Sequence, residues 1–177
     1  MKTRRLVFLS ALTAIALVIS LLEQFIPVPI GVPGAKLGFS NIVILTTIVV
    51  FGTGDGMAVG VMKSFLLMLV TGSVTSFWFS LSGAFFSTLI MSLVCKKFIP
   101  PFSLIGASEF GALAHNFGQF LVASFVLGNG KIFYYMPILT LVGIATGLFV
   151  GLSCNFVGPH LRKIYRTKES SRLTPME

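Results

Sequence analysis

The chain has 177 residues, of which 55% are hydrophobic and only 10% charged, and its mean hydropathy is +0.96. A soluble domain carries about 25% charge, and this chain has too few polar groups to cover a water-facing surface. A soluble enzyme, a disulfide-stapled secreted domain and a disordered chain are excluded, which leaves an integral membrane protein.

Six apolar runs follow one another. The first spans about Leu6 to Ile26, after a basic flank. The Ala14-Ile15-Ala16 triplet sits too far inside the run to be read as a signal-peptide cleavage site. Pro27 to Gly34 is expected to be an extended outer loop, because proline removes backbone donors and restrains its neighbours. A short second span is expected at Gly38 to Phe51. The turn Gly52-Thr53-Gly54-Asp55-Gly56 leads to a third at Met57 to Val70. An outer connection through Gly72 to Phe79 carries Trp78 and precedes a fourth span at Leu81 to Cys95. Pro100-Pro101 then breaks the chain before a fifth span at Leu104 to Leu127. Gly128 to Lys131 forms the last outer turn, and the sixth span, Ile138 to Phe156, ends near Pro159.

The net charge is +8, and its placement sets the topology. Ten basic residues (Lys2, Arg4, Arg5, Lys96, Lys97, Arg162, Lys163, Arg166, Lys168 and Arg172) flank one side of the spans. Only Lys36 and Lys131 flank the other. Positive charge stays on the cytoplasmic side during insertion, so both termini are expected inside. Residues 1–158 then form a six-span membrane domain, and 159–177 a basic cytoplasmic tail. Topology accounts for this charge, and nucleic acid is not needed as a partner.

Polar residues inside spans need a protein partner or water. On the fifth span Ser108, Glu109, Gly111, Ala112, His115, Asn116, Gln119 and Ala123 fall on one helical stripe. His115, Asn116 and Gln119 sit together near mid-depth, either as a polar lock between helices or as ligand contacts. Lys63, in the third span, has three open readings: it faces a cavity, snorkels toward Gly56, or pairs with Glu109. Lys36 and Asn41 stand where the first outer loop enters the second span, beside glycines that let backbone donors approach an anion. Glu23 is interfacial or pairs with Lys36. Gly143, Gly147 and Gly151 form a small-residue packing face on the sixth span. Cys95 and Cys154 read as small packed hydrophobes. Two histidines give no metal-ligand spacing, and no cofactor is expected.

Chemistry on diphosphates needs clustered carboxylates to hold magnesium. Asp55 is the only aspartate in the chain, so catalysis by this chain alone is not expected.

Three segments carry a family resemblance: Pro33-Gly34-Ala35-Lys36-Leu37-Gly38-Phe39-Ser40-Asn41, Phe79-Ser80-Leu81-Ser82-Gly83-Ala84 and Gly111-Ala112-Leu113-Ala114-His115-Asn116-Phe117-Gly118-Gln119. They resemble the bacterial Gx transporter family, often labelled heptaprenyl diphosphate synthase component I. Its members look like the substrate-binding S components of energy-coupling-factor transporters. The resemblance implies a six-helix, S-component-like bundle in the bacterial cytoplasmic membrane. It further implies a transmembrane coupling subunit and cytoplasmic ATPases as partners, besides the lipid bilayer and a small-molecule ligand.

The expected function is therefore capture of a small anionic precursor in a polar-lined hollow open to the exterior. Lys36, Asn41, Lys63, Glu109, His115, Asn116 and Gln119 are its candidate contacts. The alternative is a non-catalytic membrane subunit of an isoprenoid, quinone or electron-transfer complex.

Overall fold

The computed structural model describes residues 2–26, 36–98, 103–128 and 130–170. The prolines of the first loop, Pro100-Pro101 and the last seven residues lie outside them. Six α-helices and one 3-10 helix are present: α1 (Lys2–Glu23), α2 (Asn41–Phe51), α3 (Thr53–Thr71), α4 (Val74–Lys97), α5 (Leu104–Leu127), the 3-10 segment Gly130–Tyr135, and α6 (Met136–Ser170). No strand occurs among the described residues. Five of the helices are long and apolar enough to cross a membrane. The exception is α2, whose 11 residues reach roughly 16 Å at 1.5 Å per residue, about half of a ~30 Å hydrocarbon layer.

The outward faces carry apolar side chains. Val7, Leu69, Phe125 and Leu141 are all more than half exposed, and on a folded chain this pattern is stable against lipid rather than water. The protein is a multi-pass membrane protein.

Short junctions set the helix order. Gly52 alone joins α2 to α3, with its N–H donating to Thr47 O (3.2 Å) and Ile48 O (3.0 Å). Its φ of +106° is open only to glycine at low cost. Between α3 and α4 stand two residues. Gly72 closes α3 onto Met68 O at 2.8 Å, and Ser73 caps α4 by accepting the Ser76 N–H at 3.2 Å. This Ser cap starts α4 at Val74, so the stretch to Phe79 is helical rather than the expected connection.

The sixth helix also departs from expectation, running through Pro159 to Ser170. Proline costs one intrahelical hydrogen bond, but contacts beyond it hold the continuation. Tyr165 packs edge-on against Phe51 (4.9 Å between centroids) and Phe8 (5.7 Å). Arg4 donates to Tyr165 O at 2.9 Å and lies over the Tyr165 ring.

Three apolar clusters hold the bundle, and α2 enters two of them. Val43 joins Leu12, Ala16 and Val59 of α1 and α3. Ile44, Leu45 and Ile48 join Met91 of α4 and Val150 and Cys154 of α6. The third, with Phe79, Phe120 and Leu139, ties α4, α5 and α6 together. A short helix buried on nearly all sides thus begins inside the bundle. Its first residue, Asn41, lies beneath the segment that enters it, and the polar residues gather there.

Candidate functional site

Segment 36–40 turns inward, although a loop rich in glycine would be expected to lie over the surface. Its backbone donors find partners inside the bundle. The Lys36 N–H donates to Gln119 Oε1 of α5 at 3.0 Å. The Gly38 and Phe39 N–H groups both donate to Glu23 Oε1, at the end of α1. Gly38 has a φ of +91°, a glycine conformation that places these two donors on one carboxylate oxygen. The N–H groups of Asn41, Ile42 and Val43, at the start of α2, are taken by the carbonyls of Gly38, Phe39 and Ser40. The backbone donors at this entry are bonded within the chain, those of Gly38 and Phe39 to a carboxylate and those of Asn41, Ile42 and Val43 to carbonyls.

The cations beneath this segment are less well partnered. Lys36 and Lys63 are 3% and 1% exposed, and each ammonium has three donors. Lys36 Nζ donates to Ser20 O at 3.4 Å, and Lys63 Nζ to Ser40 Oγ at 3.0 Å. These are their only side-chain hydrogen bonds among the described residues. The ion pair found among those residues, Arg5–Asp55, involves neither lysine. Glu23 is the carboxylate whose charge reaches both. Lys63 neither snorkels nor pairs with Glu109; it reaches inward to Ser40, just before α2. Burial pushes the Lys36 ammonium down to about 8, against the opposing pull of Glu23.

His115, at mid-depth on α5, completes the cluster. Gln119 Oε1 accepts from Lys36, so its amide nitrogen faces His115 Nε2, 2.7 Å away. The amide donates there, which makes His115 a neutral imidazole with its proton on Nδ1. That Nδ1 is buried without a partner, as are Glu23 Oε2 and Ser20 Oγ. Buried polar groups are almost always bonded, and three of the five such atoms found among the described residues fall in this cluster, the others being Thr53 Oγ1 and Ser108 Oγ. Gly83 of α4 admits the imidazole: a methyl group there would collide with the ring. Asn41 lies alongside, its Oδ1 accepting from Ser87 at 3.3 Å.

Two of the expected contacts face elsewhere. Asn116 donates to Leu139 O of α6 at 2.8 Å and lies against Gly143. Glu109 is toward the other end of α5, against Gly147. Gly143, Gly147 and Gly151 thus line up along α5, meeting Asn116, Glu109 and Ile105. Glu23, Ser20, Ser40 and Gly83 also belong to the cluster; the sequence points to Glu23 as an interfacial or Lys36-paired residue and to Gly83 as a small-residue packing position, and gives no role to Ser20 or Ser40.

The expected polar hollow differs too, because segment 36–40 fills its mouth. The space adjoining the cluster is a groove of about 680 Å³ on the flank of the bundle. Ile19, Leu22, Phe39, Ile42 and Phe149 line it, with Glu23 at the polar end. Its rim residues Leu22 and Phe149 are 61% and 54% exposed, so it opens sideways toward lipid. Glu23 is the residue the groove and the buried polar cluster share: it lines the apolar trough, and its carboxylate holds the backbone of Gly38 and Phe39. Among the described residues no group of three His, Cys, Asp or Glu side chains is placed to hold a metal.

A family model described as heptaprenyl diphosphate synthase component I matches residues 12–157. The chain belongs to that family. The matched region contains the whole polar cluster. Comparisons with curated proteins and with solved structures found no match. The family's description names a diphosphate chemistry, but the single aspartate is bound to Arg5 at the opposite end of the bundle (2.7 Å from Arg5 Nε).

Proposed function

We propose that this chain is the membrane-embedded substrate-binding subunit of a small-molecule uptake system, taking an anionic precursor with an apolar body. In this reading α2 counts as a sixth, short crossing. Both termini are cytoplasmic, in line with the basic residues at the ends of α4 and α6 and the start of α1, and the membrane is the bacterial cytoplasmic one. Segment 36–40 closes over the site from outside and contributes Lys36, whose side chain turns inward to meet the ligand. The chain is a binding subunit and not an enzyme. Energy comes from partners, a transmembrane coupling subunit and cytoplasmic ATPases.

One observation carries the proposal: two ammonium groups lie buried with one hydrogen bond each, and one carboxylate, Glu23, is within electrostatic reach of both. An unmatched buried charge costs several kcal/mol, and a structural role is served more cheaply by apolar residues. An anion settling between Lys36 and Lys63 offsets that cost, and the His115 Nδ1–H supplies a further donor.

The test is uptake in cells together with gentle purification and mass spectrometry of bound small molecules and co-eluting proteins. Lys36→Ala and His115→Ala are expected to abolish uptake while protein abundance holds, with an ATPase pair co-eluting. Uptake that merely follows abundance, or co-elution of a prenyl-chain enzyme or flavoprotein instead, contradicts the proposal.

A further inference from the structure

The charges that face the cluster can be counted. Lys36 and Lys63 contribute two positive charges and Glu23 one negative charge. His115 is neutral by its bond to Gln119. Glu109 is directed at α6 and Asp55 at Arg5. With both lysines protonated and Glu23 ionised, the state its two backbone N–H donors favour, the buried site carries one net positive charge. Glu23 is itself 3% exposed. Its Oε1 holds segment 36–40, while Oε2 is buried with no partner and the residue lines the apolar groove. It stands where a ligand's charged head would meet its apolar body.

We infer that Glu23 sets the charge of the ligand, so that the site selects an amphiphile with a single negative charge, a monocarboxylate whose apolar body lies in the groove beside Ile19 and Phe149. This rests on the capture reading above. A carboxylate neutralises the site. A phosphate monoester, carrying about −1.5 to −2 at neutral pH, or a diphosphate overcharges it and is repelled by Glu23. Like charges forced together in a desolvated site oppose binding, and this penalty is what lets one carboxylate discriminate. The orphan Oε2 also accepts a hydrogen bond from a hydroxyl or amide on the ligand, next to its head.

Octanoate, octyl phosphate and geranyl diphosphate, titrated calorimetrically into the full chain in lipid nanodiscs with empty discs subtracted, test this directly. The wild-type protein is expected to bind octanoate at least tenfold more tightly than either phosphorylated compound. Glu23→Gln keeps an acceptor for Gly38 and Phe39 but raises the net charge to two, and the order is expected to reverse. The double variant Glu23→Gln/Lys36→Gln returns the charge to one and should restore preference for octanoate. Tighter wild-type binding of geranyl diphosphate, or one unchanged order in all variants, overturns the role of Glu23 and leaves capture standing. Absence of binding by all three compounds to wild type overturns both.

Discussion

The two ends of the bundle each bring basic and acidic side chains together, and they do so in opposite ways. At the end where α1 begins, Arg5 meets Asp55 of α3 at 2.6 Å, and its side chain is half exposed. Arg4 spends its guanidinium on the carbonyls of Ile164 and Tyr165 and on the faces of Phe8 and Tyr165. Arg4, Arg5 and Asp55 all have near partners there. At the other end two lysines are almost fully buried, and the available carboxylate has turned to the backbone of residues 38 and 39. The first arrangement ties α1, α3 and α6 together. The second leaves charge in search of a counter-ion, and this contrast separates scaffold from site.

Removing a lysine should separate the two ends most sharply. Lys63→Met is expected to weaken binding of an anionic ligand roughly a hundredfold or more, as loss of one partner in a desolvated charge contact does. The same change should leave the melting temperature unchanged or raise it, because a buried charge gives way to an apolar side chain of similar length. Calorimetry and thermal unfolding of the same sample measure both. A large drop in melting temperature would make Lys63 a structural residue like Arg5.

The next largest effect concerns pH. In the unliganded protein Lys36 is depressed from 10.5 to about 8. The unfolded chain therefore holds a proton that the folded chain has lost across that interval. Stability should rise with pH between about 8 and 10.5, and the cost of the buried charge is fully present below 8. Anion binding needs the protonated form, so affinity should be flat below pH 8 and fall up to about tenfold per unit above it. Titration of binding from pH 6.5 to 9.5 checks the sign; an affinity that rises with pH contradicts it.

Two smaller effects complete the comparison. Gly83→Ala places a methyl group against the His115 ring and should cost about 1–3 kcal/mol, as overpacking does, with ligand affinity falling through the displaced imidazole. Asp55→Asn breaks a partly exposed pair and should cost less than about 1 kcal/mol, with no effect on binding. If Asp55→Asn impaired binding as strongly as Gly83→Ala, the two ends would be coupled and the distinction between them lost.

Much of this arrangement was legible in the sequence. Apolar runs and their breaks placed six helices, with α5 at Leu104–Leu127 as expected, because long hydrophobic stretches and terminal glycines are strong local signals. The helical stripe of α5 put His115 and Gln119 on an inward face, and Lys36, Asn41 and Lys63 stood out as costly residues in an apolar chain. The start of α4 was misplaced because Ser73 is a small polar residue among many, and its cap shows only once Gly72 ends α3. The continuation of α6 past Pro159 depends on Arg4, Phe8 and Phe51, which are distant in sequence. Asn116 and Glu109 share the stripe of His115, but a helix turns about 100° per residue, and the edge of that stripe faces α6. Glu23 was ambiguous because its role depends on the φ of Gly38, fifteen residues away, which aims two backbone donors at it.

The central claim is that the space beside Glu23 seats an amphiphilic anion, its head between Lys36 and Lys63. In crystals of the protein with 12-bromododecanoate, anomalous scattering locates the bromine and the electron density locates the carboxylate. The account places the carboxylate at the two lysines and the bromine in the groove lined by Ile19, Ile42 and Phe149. Bromine found instead in the apolar groove beside Trp78 and Phe125, with the lysines still bonded to Ser20 and Ser40 alone, would contradict it.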